Sequence, residues 1–286
     1  MTTQQHILAC IDGSSVTESV CDYAVWYASR LALPVSLLNV IDVPVSARRD
    51  MSGSIGMNSR QHLLHELTQL DDHRAKVAHD YSEALTEDAK SYINSKSDVE
   101  VIVYRRPGKL LPAIEHFAEK NRAIVMGRRG EDHNNNRVNT GSQIETIARA
   151  SSVPVLICSS SFKTPRSFMI AFDPSATAIK AIDTIAQSPL LQGMQAHIVM
   201  IGNSNDSSRE DLASALEQLE SAGFMASAHH IPGSNTVNKL LKFQEDYSVD
   251  MIVIGAYAGS KLRQLFLGST TTEIIANTLS PIILVR

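Results

Sequence analysis

Cysteine is scarce in this chain: 286 residues carry three, Cys10, Cys21 and Cys158. They stand far apart with no CxxC spacing, which argues against both a disulfide framework and a structural zinc site. Basic charge is also in short supply. Lys and Arg number 26 against 30 Asp and Glu, a formal net charge of −4, and Arg105-Arg106 and Arg128-Arg129 are pairs and not a stripe. That balance argues against a nucleic-acid partner, whose phosphates are held by a basic face. No apolar run approaches the roughly 18 residues of a spanning helix, and "MTTQQHILACID" lacks the basic start and long apolar run of a signal peptide. The expectation is a cytoplasmic chain with no membrane partner. Metal ligands are wanting too. His133 with Asn134, Asn135 and Asn136 is a poor donor set, and His229 and His230 alternate along a strand, so they point to opposite faces and cannot chelate together.

What is present is enough apolar residue for globular cores, 43% against 20% charged, in a length that suits two domains. The chain is written twice. "HILACIDGSSVTESVCDYAVWYASRLALPVSLLNVID" at 6–42 has the plan of "FMIAFDPSATAIKAIDTIAQSPLLQGMQAHIVMIGN" at 168–203, "AIVMGRRG" matches "MIVIGAYA", and "GSQIETIARASSVPVLIC" matches "GSTTTEIIANTLSPIILV" without a gap. Short apolar runs alternate with amphipathic stretches, the pattern of strands joined by helices in a parallel sheet. In the first unit the pattern predicts strands at 6–11, 35–41, 99–104, 123–126 and 154–158. Helices are expected at 16–32, from the 44–57 loop to about 92, at 109–120 and at 142–151, with Ser14 or Ser15 capping the first. In the second unit strands are expected at 168–172, 196–201, 226–231, 251–254 and 281–285, and helices at 176–187, 208–222, 235–246 and 269–278. The units run 1–159 and 166–286, joined by "SSSFKTPR".

Ligands of an open parallel sheet gather beyond the carboxyl ends of the strands, where strand order reverses. Three features converge there in each unit. Asp12 or Asp173 ends the first strand and suits the hydroxyls of a ribose. Val40 or Ile201 ends the second, where apolar side chain and backbone meet an adenine edge. The third is the glycine loop after the fourth strand: Met126, Gly127, Gly130, Gly141 and Ser142 in the first unit, Ile254, Gly255, Gly268 and Ser269 in the second. A helix start offers unpaired N–H groups and partial positive charge to phosphate, and glycine lets the backbone come close. Simpler roles stand beside these: Asp12 and Asp173 as helix caps, Arg128 and Arg129 as solvated side chains instead of phosphate ligands.

These residues carry a resemblance. The chain resembles a tandem universal stress protein, a family whose nucleotide-binding members share a glycine, two residues, a glycine, nine residues and then Gly-Ser or Gly-Thr, after an early strand ending in aspartate. The ending "LGSTTTEIIANTLSPIILVR" is fairly specific to it. The resemblance implies an α/β fold of two tandem Rossmann-like domains of the adenine nucleotide alpha hydrolase type, each a five-stranded parallel sheet flanked by helices. It also implies dimerisation through the last strand, which 154–158 and 281–285 can satisfy internally as a pseudo-dimer. It implies a stress-response regulator that binds ATP or another adenine nucleotide, with Mg2+ as an optional companion, and turns it over slowly or not at all. The first copy has ten residues before Gly141-Ser142 and the second has Ala258 where a glycine is expected, so the first ranks as the better nucleotide site. Those departures leave open a nucleotide-free scaffold that engages a protein partner or an apolar ligand, and a homodimer of the tandem chain stays open as well. An adenylating enzyme is disfavoured. Such enzymes place a glycine-rich phosphate loop after the first strand, where this chain has "DGSS" and "DPSA", and Pro174 removes a backbone donor there.

Overall fold

A computed structural model describes residues 4–41, 57–128, 140–203, 205–255 and 269–285. The first unit runs β1 (His6–Ile11), α1 (Thr17–Leu31), β2 (Val35–Ile41), α2 (Met57–Lys96), β3 (Val101–Pro107), α3 (Leu110–His116), β4 (Asn121–Gly127), α4 (Thr140–Ala150) and β5 (Val155–Cys158). The second runs β6 (Ser167–Phe172), α5 (Ala176–Ala186), β7 (Gln195–Ile201), α6 (Asp206–Ser221), β8 (Met225–Ile231), α7 (Thr236–Asp246), β9 (Met251–Gly255), α8 (Ser269–Asn277) and β10 (Ile282–Val285). The element order is the expected one in both copies. One addition is a 3-10 turn, Pro189–Leu191, where Ser188 accepts from Leu190 N–H at 3.3 Å and proline fixes the first φ.

The described strands form one ten-stranded sheet in the order β3-β2-β1-β4-β5-β10-β9-β6-β7-β8. Pairing is parallel within each unit. At the seam β5 meets β10 antiparallel, with Ile283 opposite Leu156, so the two last strands do pair internally. Central strands read as continuous apolar runs because helices cover both faces. On one face α1, α2, α5 and α6 enclose a core that includes Tyr23, Leu37, Phe168 and Ile198. On the other α3, α4, α7 and α8 enclose Leu8, Ile124, Ile147, Ile252 and Ile274. Each core crosses from one unit into the other.

Further contacts lock the halves together. Arg30 donates to the carbonyls of Leu190, at 2.8 Å, and of Gln192. Arg128 donates to the Ser280 carbonyl at 2.8 Å, so it bridges the units and is not the solvated side chain expected. The linker is tied down by Tyr23, whose hydroxyl lies 2.9 Å from Ser159 Oγ and whose ring meets Phe162 edge-on. In α2, 40 residues span about 60 Å. Its second half packs on β2 and β3 through Ala89 and Ile93, while Leu67, Leu70 and Val77 remain exposed. No described helix is long and apolar enough to cross a membrane.

Candidate functional site

β1 lies between β2 and β4, so the chain reverses its direction of travel through the sheet beside β1, and the crevice of the first unit opens there. The registers Ile11 to Asn39 and Cys10 to Met126, continued by a residue or two, bring Asp12 level with Val40 and Arg128. Asp12 Oδ1 accepts the Ser14 N–H at 3.0 Å, and Gly13 supplies the positive φ, +81°, that this tight Asx-type turn needs. The turn corrects an expectation. Neither Ser14 nor Ser15 caps α1: the cap position is Val16, with no side-chain bond, because the Asp12 carboxylate has already drawn Ser14 into the turn. Nor does Asp12 cap the helix itself through the bond it makes to Ser14.

Val40 is half-buried against the core of α3 and α4, and Met126 is inside that core. Gly127 ends β4. Helix α4 begins at Thr140, two residues ahead of expectation, so Gly141 and Ser142 fall in its first turn. Their N–H groups are still among the four that have no partner within a helix. Gly130 lies outside the described residues, as do Gly268, Ala258, Arg129, the loop around His133 and the segment near 44–56.

In the second unit Asp173 is exposed and accepts from the Ser175 hydroxyl, and Ser175 in turn caps α5 by accepting Ala178 N–H at 3.3 Å. Ile201 is half-buried and Ile254 buried. Gly255 packs against the first turn of α5: a Cβ there would lie 2.6 Å from the Thr177 carbonyl oxygen. That contact requires glycine whatever the site binds. Ser269 opens α8.

Two groups of residues escaped the sequence reading. Asn39, buried in β2, donates to the Ile11 carbonyl at 2.9 Å and accepts from Ser82 of α2 at 2.6 Å. It ties α2 to the strand end that carries Asp12. An asparagine inside "VSLLNVI" was the available signal, since a buried amide needs partners. Tyr81, beside Ser82 on α2, reaches over Gly13, with its hydroxyl where a Cβ would stand. The Cys10 thiol nearby is pushed up to about 12, by burial first and then by Asp12, so it stays protonated. The second group joins β7 to β8. His197 Nδ1, His229 Nε2 and Ser227 Oγ form a triangle with sides of 3.2, 3.0 and 2.9 Å. Burial lowers both imidazoles from their ordinary values, and the charge of His229 lowers His197 further. His229 packs on Phe243 and Tyr247, and its spacing of two from Ser227 in one strand was the readable sign.

The family model for universal stress proteins matches residues 4–159 and again 166–286. A universal stress protein of Synechocystis sp. is 30% identical over 287 residues, spanning 99% of this chain and 100% of that protein. Among solved structures, a universal stress protein from Archaeoglobus fulgidus superposes with a TM-score of 0.70 at 18% identity, over 99% of this chain and 97% of that one. A functionally unknown protein from Pseudomonas aeruginosa does so with 0.59 at 16%, over 99% and 93%. At such identities the structures speak for the fold alone. The doubled family match and the full-length relative settle descent: the chain belongs to the universal stress protein family.

Proposed function

We propose that this chain is a stress-response regulator that binds an adenine nucleotide, ATP, ADP or AMP, in the crevice of the first unit. Asp12 accepts a ribose hydroxyl, Val40 and Met126 border the adenine, and the N–H groups of Gly127, Gly130, Gly141 and Ser142 receive phosphate, with Mg2+ on its outer oxygens. The observation that supports this reading most is the adjacency of β2, β1 and β4, which puts Asp12 level with Val40 beside the glycine that ends β4. The corresponding residues of the second unit, Asp173, Ile201, Ile254, Gly255, Gly268 and Ser269, make the weaker site in this proposal. There Ala258 stands where the family pattern has a glycine, and Gly255 is closed against α5.

Calorimetric titration with ATP, ADP and AMP in magnesium tests it. Binding with Kd between about 1 µM and 1 mM is expected. Asp12→Ala should weaken it at least about tenfold, the worth of one hydrogen bond to a charged group. Flat traces for all three nucleotides would refute the proposal. ATP turnover above about one per second would refute its regulatory, non-enzymatic part.

A further inference from the structure

The sheet ends at β8, and among the described residues no strand lies beyond it. The Ile231 carbonyl accepts from Gly202 N–H, on the β7 side, at 3.1 Å. Along a strand the N–H and C=O of one residue point the same way and successive residues alternate. His229 and Ile231 therefore turn their backbone groups to β7, while Ala228 and His230 turn theirs outward. A groove of about 640 Å3 follows that edge, with 228–231 as one wall and α7 as the other.

The lining pattern identifies the groove's geometry. Side chains of four consecutive strand residues alternate between faces, so they border one cavity together only from the strand's edge. Lys239, Lys242, Phe243, Asp246 and Tyr247 recur at helical spacing on a single face of α7. Three steps along the strand span about 10 Å and eight along the helix about 12 Å, so the two walls are similar in length. The Phe243 and Tyr247 rings stack at 4.2 Å, and Tyr247 is 54% exposed. Charge is unequal: Lys239, which donates to the Pro232 carbonyl at the rim, and Lys242 outnumber Asp246.

We infer that this groove takes an extended acidic peptide, which adds to β8 as a further strand. Its backbone pairs with the outward groups of Ala228 and His230, a carboxylate faces Lys239 and Lys242, and an aromatic or branched side chain lies on the Phe243–Tyr247 stack. In this mode the main chain supplies affinity and alternate side chains supply selectivity. The surface is separate from the nucleotide crevice, which belongs to β1, β2 and β4 of the other unit, so the two readings fail independently.

The probe is a fluorescein-labelled peptide, Glu-Val-Glu-Tyr-Glu-Val, followed by anisotropy against the full chain. Two counter-probes accompany it: the same sequence N-methylated at alternate residues, and the sequence with lysine for glutamate. Saturable binding with Kd of about 10 to 500 µM is expected, as for a small, main-chain-led interface. N-methylation, lysine exchange and the double variant K239E/K242E should each weaken it about tenfold or more, and amide shifts should appear at Ala228 and His230. Ala228→Pro removes one outward donor at an edge that tolerates proline, and should have the same effect. If that variant is destabilised, K239E/K242E with an unchanged Tm decides. No saturable binding up to about 1 mM overturns the inference. Equal binding of the N-methylated peptide overturns it too, since side chains alone would then suffice. A concentration-dependent dimer that the peptide displaces would give the edge to a second copy of the chain, and overturn it likewise.

Discussion

Gly255→Ala separates a packing glycine from a ligand-binding one. The added Cβ would stand 2.6 Å from Thr177 O, 2.7 Å from Thr177 C and 2.9 Å from Ala178 N. Carbon contacts settle at about 3.5 to 4.0 Å, so β9 and the first turn of α5 must part by almost 1 Å. These are backbone atoms and cannot swing aside. The turn is also anchored, by the Ser175 cap and by Ala178, Ala181 and Ile182, which are at most 2% exposed. Overpacking costs about 1 to 3 kcal/mol, and an immovable neighbour puts this case at the upper end, about 2 to 3 kcal/mol. For a cooperative unit of this size that is a Tm lower by roughly 4 to 12 °C. Gly193→Ala is the control. Gly193 has φ +79° and nothing within 4 Å of a Cβ, so alanine there meets conformational strain alone, about 1 to 2 kcal/mol. Calorimetric scans of the parent and both variants give the answer. A Gly255→Ala protein melting within about 1 °C of the parent would refute the packing account, and a loss of nucleotide affinity at unchanged Tm would assign the glycine to a ligand instead.

Asn39→Ala strands the Ile11 carbonyl and the Ser82 hydroxyl without their partner, and should lower stability by about 2 to 3 kcal/mol in urea titration; an unchanged midpoint would show that water replaces the amide. His6, His197 and His229 are all lowered by burial, so they are neutral in the fold while the unfolded chain takes up protons near pH 6.5. Stability should therefore be complete above pH 6.5 and decline as pH falls through 6.5 toward their depressed values. Equal urea midpoints at pH 7.5 and 5.5 would contradict this. Asp250, lowered by Lys163 and backbone donors despite its burial, contributes stability that is lost only at more acid pH, below its ordinary carboxylate value. Ile283→Asp puts a charge into the seam opposite Leu156, where Ile283 is 3% exposed, and should cost about 4 kcal/mol or more. Limited proteolysis at the linker reports it, and unaltered resistance would mean the seam does not hold the halves.

The element order was legible because each strand is a short apolar run and each helix has its own period, properties that neighbours in sequence suffice to produce. The internal seam was legible only through the resemblance, which implies pairing through the last strand; "PVLIC" and "PIILV" are the two such endings in one chain, and they do pair. Local chemistry misled at the start of α1. Ser14 and Ser15 are good caps by type, yet the Asp12 carboxylate competes for the same loop, and that competition depends on how Gly13 turns the chain. Arg128 looked like a solvated or phosphate-facing cation, but Ser280, 152 residues away, receives its hydrogen bond.

The sequence by itself determined that this protein has two like units, what each unit contains and where an aspartate, an apolar strand end and a glycine fall along it. Those are repeats and periodicities, written in residues close enough to compare. Tertiary structure decided that Arg128 reaches across to Ser280, why Gly255 tolerates no methyl, how Asn39 fastens α2 over the first crevice and which edge of the sheet lies beside α7. Such facts are distances between parts of the chain far apart in sequence, and only the joint packing of the ten described strands and eight described helices sets them.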